Sequence, residues 1–121
     1  MSSFTLQQIF GENAVQDSDS ITIAKADLAQ NTGFSAADEN DGESVFTAVV
    51  LQAQGLGLDT ANRDGGEDSD PNINQQVAVS SSTPDLITRA DAEGNISYFK
   101  RDSYTIDLDF PLPSTVNPSD Y

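Results

Sequence analysis

From Tyr104 to Phe110 the chain places Tyr104, Ile106, Leu108 and Phe110 at alternate positions, with Thr105, Asp107 and Asp109 between them. Successive side chains of a strand point to opposite faces. This period of two therefore predicts an antiparallel strand with four large apolar groups on a core face and acids toward solvent. A half-buried strand needs partners, and the chain upstream supplies them. Leu86-Ile87-Thr88-Arg89 and Ile96-Ser97-Tyr98-Phe99 flank Asp91-Ala92-Glu93-Gly94-Asn95. Two such runs around a Gly-Asn turn predict a β-hairpin. Val77-Ala78-Val79 and the alternating run Ile21-Thr22-Ile23-Ala24-Lys25 add two short strands. The expected sheet includes residues 20–25, 77–79, 86–89, 96–99 and 104–110.

Helical signals are fewer. Residues 3–10 read as a short helix, with Ser3 or Thr5 as N-cap, Leu6, Ile9 and Phe10 at helical spacing, and Gly11 available for a left-handed cap. Two turns are marginal alone, so the segment must dock on the body or on a partner. Asn40, followed three residues later by Glu43, fits a capping box, and Gly55 closes the run that begins at Val45. The Val, Thr and Phe content of that run speaks for a strand instead; a helix near 41–54 is the reading taken. Leu28 and Phe34 lead into an acidic loop. Residues 59–76 hold almost no apolar side chain and read as a long loop. Pro111, Pro113 and Pro118 predict an extended arm over 111–121, ending in Tyr121. The expected organisation is an N-terminal docking segment (1–19), a single mainly-β or α+β domain (20–110) built as an antiparallel sheet or β-sandwich-like unit with one or two short helices, and the C-terminal arm.

Charge narrows the function. The chain carries 20 acids against 5 bases, a net charge of −15, with no histidine and no cysteine. The side chains that most often do acid/base, nucleophilic and soft-metal chemistry near neutral pH are missing, and no P-loop, GxGxxG, HExxH or GxSxG pattern occurs. An enzyme is not expected, and no cofactor is implied. The charge opposes phosphate backbones and anionic lipid surfaces, so neither nucleic acid nor a membrane is an expected partner. No apolar run reaches the length of a membrane span, and Met1-Ser2-Ser3-Phe4 lacks the basic and apolar regions of a signal peptide.

The acidic loops 38–43 and 64–70 raise a second reading, a calcium-dependent binding module, with Asp41, Glu43, Asp64, Asp68 and Asp70 as candidate ligands. Neither loop matches an EF-hand: Ala37 or Thr60 falls where the first ligand belongs. Gly65-Gly66-Glu67-Asp68-Ser69-Asp70 is a single imperfect copy of a β-roll nonapeptide that works only in tandem. Solvated loops are the plainer account. Tyr98, Phe99, Tyr104 and Phe110 would, if exposed, offer a surface for carbohydrate or protein contact; they are expected mainly in the core, because a chain with 36% apolar residues needs its few large groups to build an interior.

Three segments carry a resemblance: Phe4-Thr5-Leu6-Gln7-Gln8-Ile9-Phe10-Gly11, Ile21-Thr22-Ile23-Ala24-Lys25-Ala26-Asp27-Leu28 and Arg101-Asp102-Ser103-Tyr104-Thr105-Ile106-Asp107-Leu108. Together they resemble small proteins of cyanobacteria and their tailed phages, over about half of the chain and without a catalytic motif. The resemblance implies a virion structural component such as a capsid decoration (cement) protein, made in the host cytoplasm and located in the virion. Its partners would be other copies of itself and capsid protein subunits, in a homo-oligomer within the larger assembly. The expected contacts are the termini, through Leu6, Ile9, Phe10, Pro111, Leu112, Pro113, Val116 and Tyr121.

Overall fold

A computed structural model describes residues 4–61, 63, 75–109 and 115–121. The fold is α+β with antiparallel strand pairs. Helix α1 (Leu6–Phe10) is short but fully capped. The Thr5 hydroxyl accepts from the Gln8 N–H at 3.2 Å, and the Gln8 side chain accepts from the Thr5 N–H at 2.7 Å. Phe4 and Ile9, which flank this box, both face one apolar cleft and staple the chain as it enters the helix. A two-residue ladder, β1 (Val15–Gln16) with β2 (Ile21–Thr22), follows, with Asp17 tying the connecting turn through the N–H groups of Asp19 and Ser20. The ladder crosses the boundary expected at residue 19.

Two departures from the expected order come next. The strand expected over 20–25 stops at Thr22, and Lys25–Thr32 forms helix α2, closed by Gly33 in the left-handed region at φ 77°. Helix α3 (Gly42–Gly55) occupies the segment where helix and strand signals competed. Its N-cap is Asp41, not Asn40, and no side chain caps it. Asn40 instead braces the preceding loop, accepting from the Ala37 N–H and donating to the Ser35 carbonyl. At the other end Leu56, not Gly55, is the C-cap, and the positive φ lies at Gly57, whose α-carbon faces the Phe4 ring.

Leu28, Phe34 and Ala48 form the buried centre between α2 and α3, with Ile23, Val45 and Val49 packed around it. A second apolar layer joins the other side of α3 to β3 (Val77–Ser81): Ala53, Leu58, Ala78 and Val79 are buried. The Val79 N–H donates to the Leu58 carbonyl, so the chain after α3 runs beside β3 on the edge that β6 leaves open.

The remaining strands are β4 (Asp85–Ala90), β5 (Ile96–Arg101) and β6 (Tyr104–Leu108). β3 pairs with β6 and β4 with β5, both antiparallel. They are separate two-stranded sheets that follow one another along the same two chain segments. Ser81 pairs with Tyr104 and Asp85 with Arg101, leaving residues 82–84 opposite 102 and 103. The ladder is interrupted there, and the interruption includes Pro84, which has no N–H to give a ladder. Residues 118–120 form one 3₁₀ turn started by Asn117, so the last part of the expected arm is not extended. Phe110, Pro111, Leu112 and Pro113 lie outside the described residues.

Candidate interaction surface

The β4–β5 ribbon differs from the rest of the molecule. From Ser81 to Ile106 every residue is exposed except Ile87, which is half-buried. β4 packs on β5, and neither packs extensively on any other described element. The local sequence makes the hairpin well formed. The Gly94 N–H donates to the Asp91 carbonyl, the Asp91 N–H to the Asn95 carbonyl, and Gly94 takes φ 84°. This is a three-residue turn with a left-handed glycine. The Asp91 carboxylate accepts from the Glu93 and Asn95 N–H groups and from the Asn95 side chain. These bonds, that from the Asn95 N–H foremost, hold the Asp91 carboxyl below its ordinary range.

Register assigns the side chains to faces. Leu86, Thr88 and Ala90 sit opposite Lys100, Tyr98 and Ile96 on one face, while Ile87 and Arg89 sit opposite Phe99 and Ser97 on the other. Leu86 is 75% exposed, Tyr98 70% and Ile96 60%. On the second face the Arg89 guanidinium lies 5.0 Å from the centre of the Phe99 ring, within cation–π range. Arg89, Lys100 and Arg101 offset Asp85, Asp91 and Glu93, so residues 85–101 carry no net charge and the rest of the chain carries all of −15.

The aromatic residues are therefore not where a core was expected. Tyr98, Phe99 and Tyr104 are exposed; among the described residues β4 and β5 have no second layer packed over them, and Tyr104 borders an open cleft. β6 also departs from the half-buried pattern. Tyr104, Ile106 and Leu108 are exposed, and the half-buried residue is Asp107, held by the Arg63 guanidinium at 3.0 Å. At the ribbon's foot Phe46, Val50 and Leu51 of α3 face Tyr104 and Ile106 across an open cleft of about 430 Å³.

The terminal candidates divide. Leu6, Ile9 and Phe10 are half-buried, and α1 packs on α3. Tyr121 folds back into the cleft of about 380 Å³ that also holds Phe4, Ile9, Phe10, Val50 and Leu58. Val116 is exposed, and Pro111, Leu112 and Pro113 lie outside the described residues. Of the calcium candidates, Asp41 and Glu43 are exposed at the start of α3, while Asp64, Asp68 and Asp70 lie outside the described residues. Among the described residues no three Asp or Glu side chains come together as a metal site, and no helix is long and apolar enough to cross a membrane.

The ribbon surface, formed by Leu86, Ile87, Ile96, Tyr98 and Phe99, includes two aromatic residues whose exposure for contact is the less favoured reading of the sequence. A signal was present. Leu86-Ile87 and Tyr98-Phe99 are adjacent pairs, so each strand presents a large apolar group to both faces, which a one-sided sheet does not need. Comparison with protein-family models, with curated proteins and with solved structures finds no match.

Proposed function

We propose that this chain is a non-enzymatic structural protein of a large assembly and that it holds its neighbours through the β4–β5 ribbon. The observation that carries this reading is the exposure of Leu86, Ile96 and Tyr98 on one face of a two-stranded ribbon that packs on little else. A lone two-stranded hairpin is marginally stable in water. Full burial of a Leu or Ile side chain contributes about 1.5–3 kcal/mol. A neighbour covering this face thus gains apolar burial and stabilises the ribbon in the same step, which is how exposed apolar patches on small proteins usually function. The resemblance to tailed-phage proteins gives the reading its specific form, a capsid decoration protein bound to capsid subunits and located in the virion. The termini have a supporting part, with Ile9, Phe10 and Tyr121 seated beside α3.

Immunogold labelling with an antibody to this chain, applied to particles purified from the cells that make it, tests the proposal. Regularly spaced label on a shell is expected. A chain recovered wholly free of particles would overturn it.

A further inference from the structure

Resting on the reading of the ribbon as the contact surface, we infer that its partner is a second copy of this chain, paired antiparallel along the outer edge of β5. The hydrogen bonds of the turn decide which backbone groups are free. The Asp91 N–H donates to the Asn95 carbonyl, so 91 and 95 are a hydrogen-bonded pair. With the alternation of an antiparallel ladder, 89/97, 87/99 and 85/101 are hydrogen-bonded as well. The pairs 90/96, 88/98 and 86/100 turn their N–H and C=O groups outward. Leu86, Thr88 and Ala90 therefore form one open edge, and Ile96, Tyr98 and Lys100 the other. Neither stretch contains a proline or a bulge, two of the devices that protect an edge, and each holds a single charged side chain, Arg89 on β4 and Lys100 on β5.

Charge selects between the two edges. Antiparallel pairing lays the tip of one ribbon beside the base of the other. The tip carries Asp91 and Glu93. The base of β4 carries Asp85, so pairing along β4 would bring acid to acid. The base of β5 carries Lys100 and Arg101 followed by Asp102, a net positive charge, so pairing along β5 brings acid to base. With Tyr98 opposite Tyr98 of the second copy, Ile96 faces Lys100 and Asn95 faces Arg101, which places Glu93 diagonal to Arg101 within reach of a long side chain. The outward N–H and C=O groups of Ile96, Tyr98 and Lys100 are all met. Leu86, Ile96 and Tyr98 of both copies then share one face of a four-stranded sheet, still open to the larger assembly.

Sedimentation velocity across a wide concentration range tests the pairing. A monomer–dimer equilibrium is expected for the wild type, and a strictly monomeric wild type overturns the proposal. Tyr98→Pro removes the central one of the three outward N–H groups of β5 and is expected to raise the dissociation constant by about tenfold or more. Thr88→Pro removes the corresponding group of β4 and is expected to leave it unchanged; equal loss in both variants overturns the choice of edge. Since proline could disrupt the hairpin itself, a charge cycle provides a second measurement. Glu93→Lys and Arg101→Glu should each weaken the dimer and recover affinity when combined; a double variant weaker than either single one overturns the tip-to-base contact. A monomeric protein that still labels particles would sink the pairing alone, and a dimer absent from particles would sink the assembly reading alone.

Discussion

Gly11 follows α1 at φ 106° and ψ 154°, a region open in practice only to glycine. A β-carbon there would lie 2.5 Å from the Asp27 carboxylate. That carboxylate is buried on α2 and accepts from both the Asn13 N–H and the Asn13 side chain. Gly11, Asn13 and Asp27 thus join the N-terminal segment to the helical layer through one contact with no room to relax. Gly33 is the natural control, since it also has positive φ but no atom within 4 Å of a built β-carbon. Gly33→Ala is expected to cost about 1–2 kcal/mol from backbone conformation alone. Gly11→Ala should cost more, since its β-carbon also displaces the Asp27 carboxylate and its two hydrogen bonds. Urea denaturation of the two variants measures the difference, and equal midpoints would show that α1 and α2 are not joined in this way.

At the scale of elements the β4–β5 hairpin has its own titration. Hydrogen bonds in its turn depress the Asp91 carboxyl below its ordinary value of 3.8. A group whose pKa is lower when folded contributes stability above its unfolded value and loses it as pH falls through the folded one. The turn should therefore loosen only in acid. The Glu93 and Asn95 amide resonances are expected to shift together with a midpoint below 3.8, and a midpoint at or above that value would contradict the bonds to Asp91. This hairpin was legible in the sequence because its turn residues and flanking β-branched runs act locally. Strand β6 was legible through its alternation, whereas α3 was legible only in its extent, since the Asn40 capping box does not form and Leu56, not Gly55, is the C-cap. Helix α2 was not, because Lys25–Thr32 has only Leu28 as a large apolar residue and no capping side chain. The fate of the aromatic residues was not legible either. Alternation shows which side chains share a face, but whether that face is covered depends on a second layer that no local pattern encodes: over Tyr98 it is absent among the described residues, and over Ile106 helix α3 leaves an open cleft.

For the whole molecule, the balance of forces turns on where the charge sits. Two chains of net charge −15 repel, yet each carries a neutral ribbon. Antiparallel pairing of ribbons sets the acidic bodies at opposite ends, separated by at least the six residues of β5, about 20 Å at ~3.3 Å per residue. At an ionic strength near 0.15 M the screening length is about 8 Å, so the bodies barely interact, while at 0.01 M it is about 30 Å and they do. The tip-to-base attraction involves only a few charges at close range and changes less with salt than body-to-body repulsion. Dimerisation should therefore weaken as salt is removed, the reverse of an interface formed by opposite charges alone. Sedimentation velocity at the two ionic strengths decides this. A dimer strengthened at low salt would place the acidic bodies away from each other's field or the contact away from β5. A dimer lost at low salt and restored by added salt fits a neutral ribbon that carries two strongly acidic bodies apart.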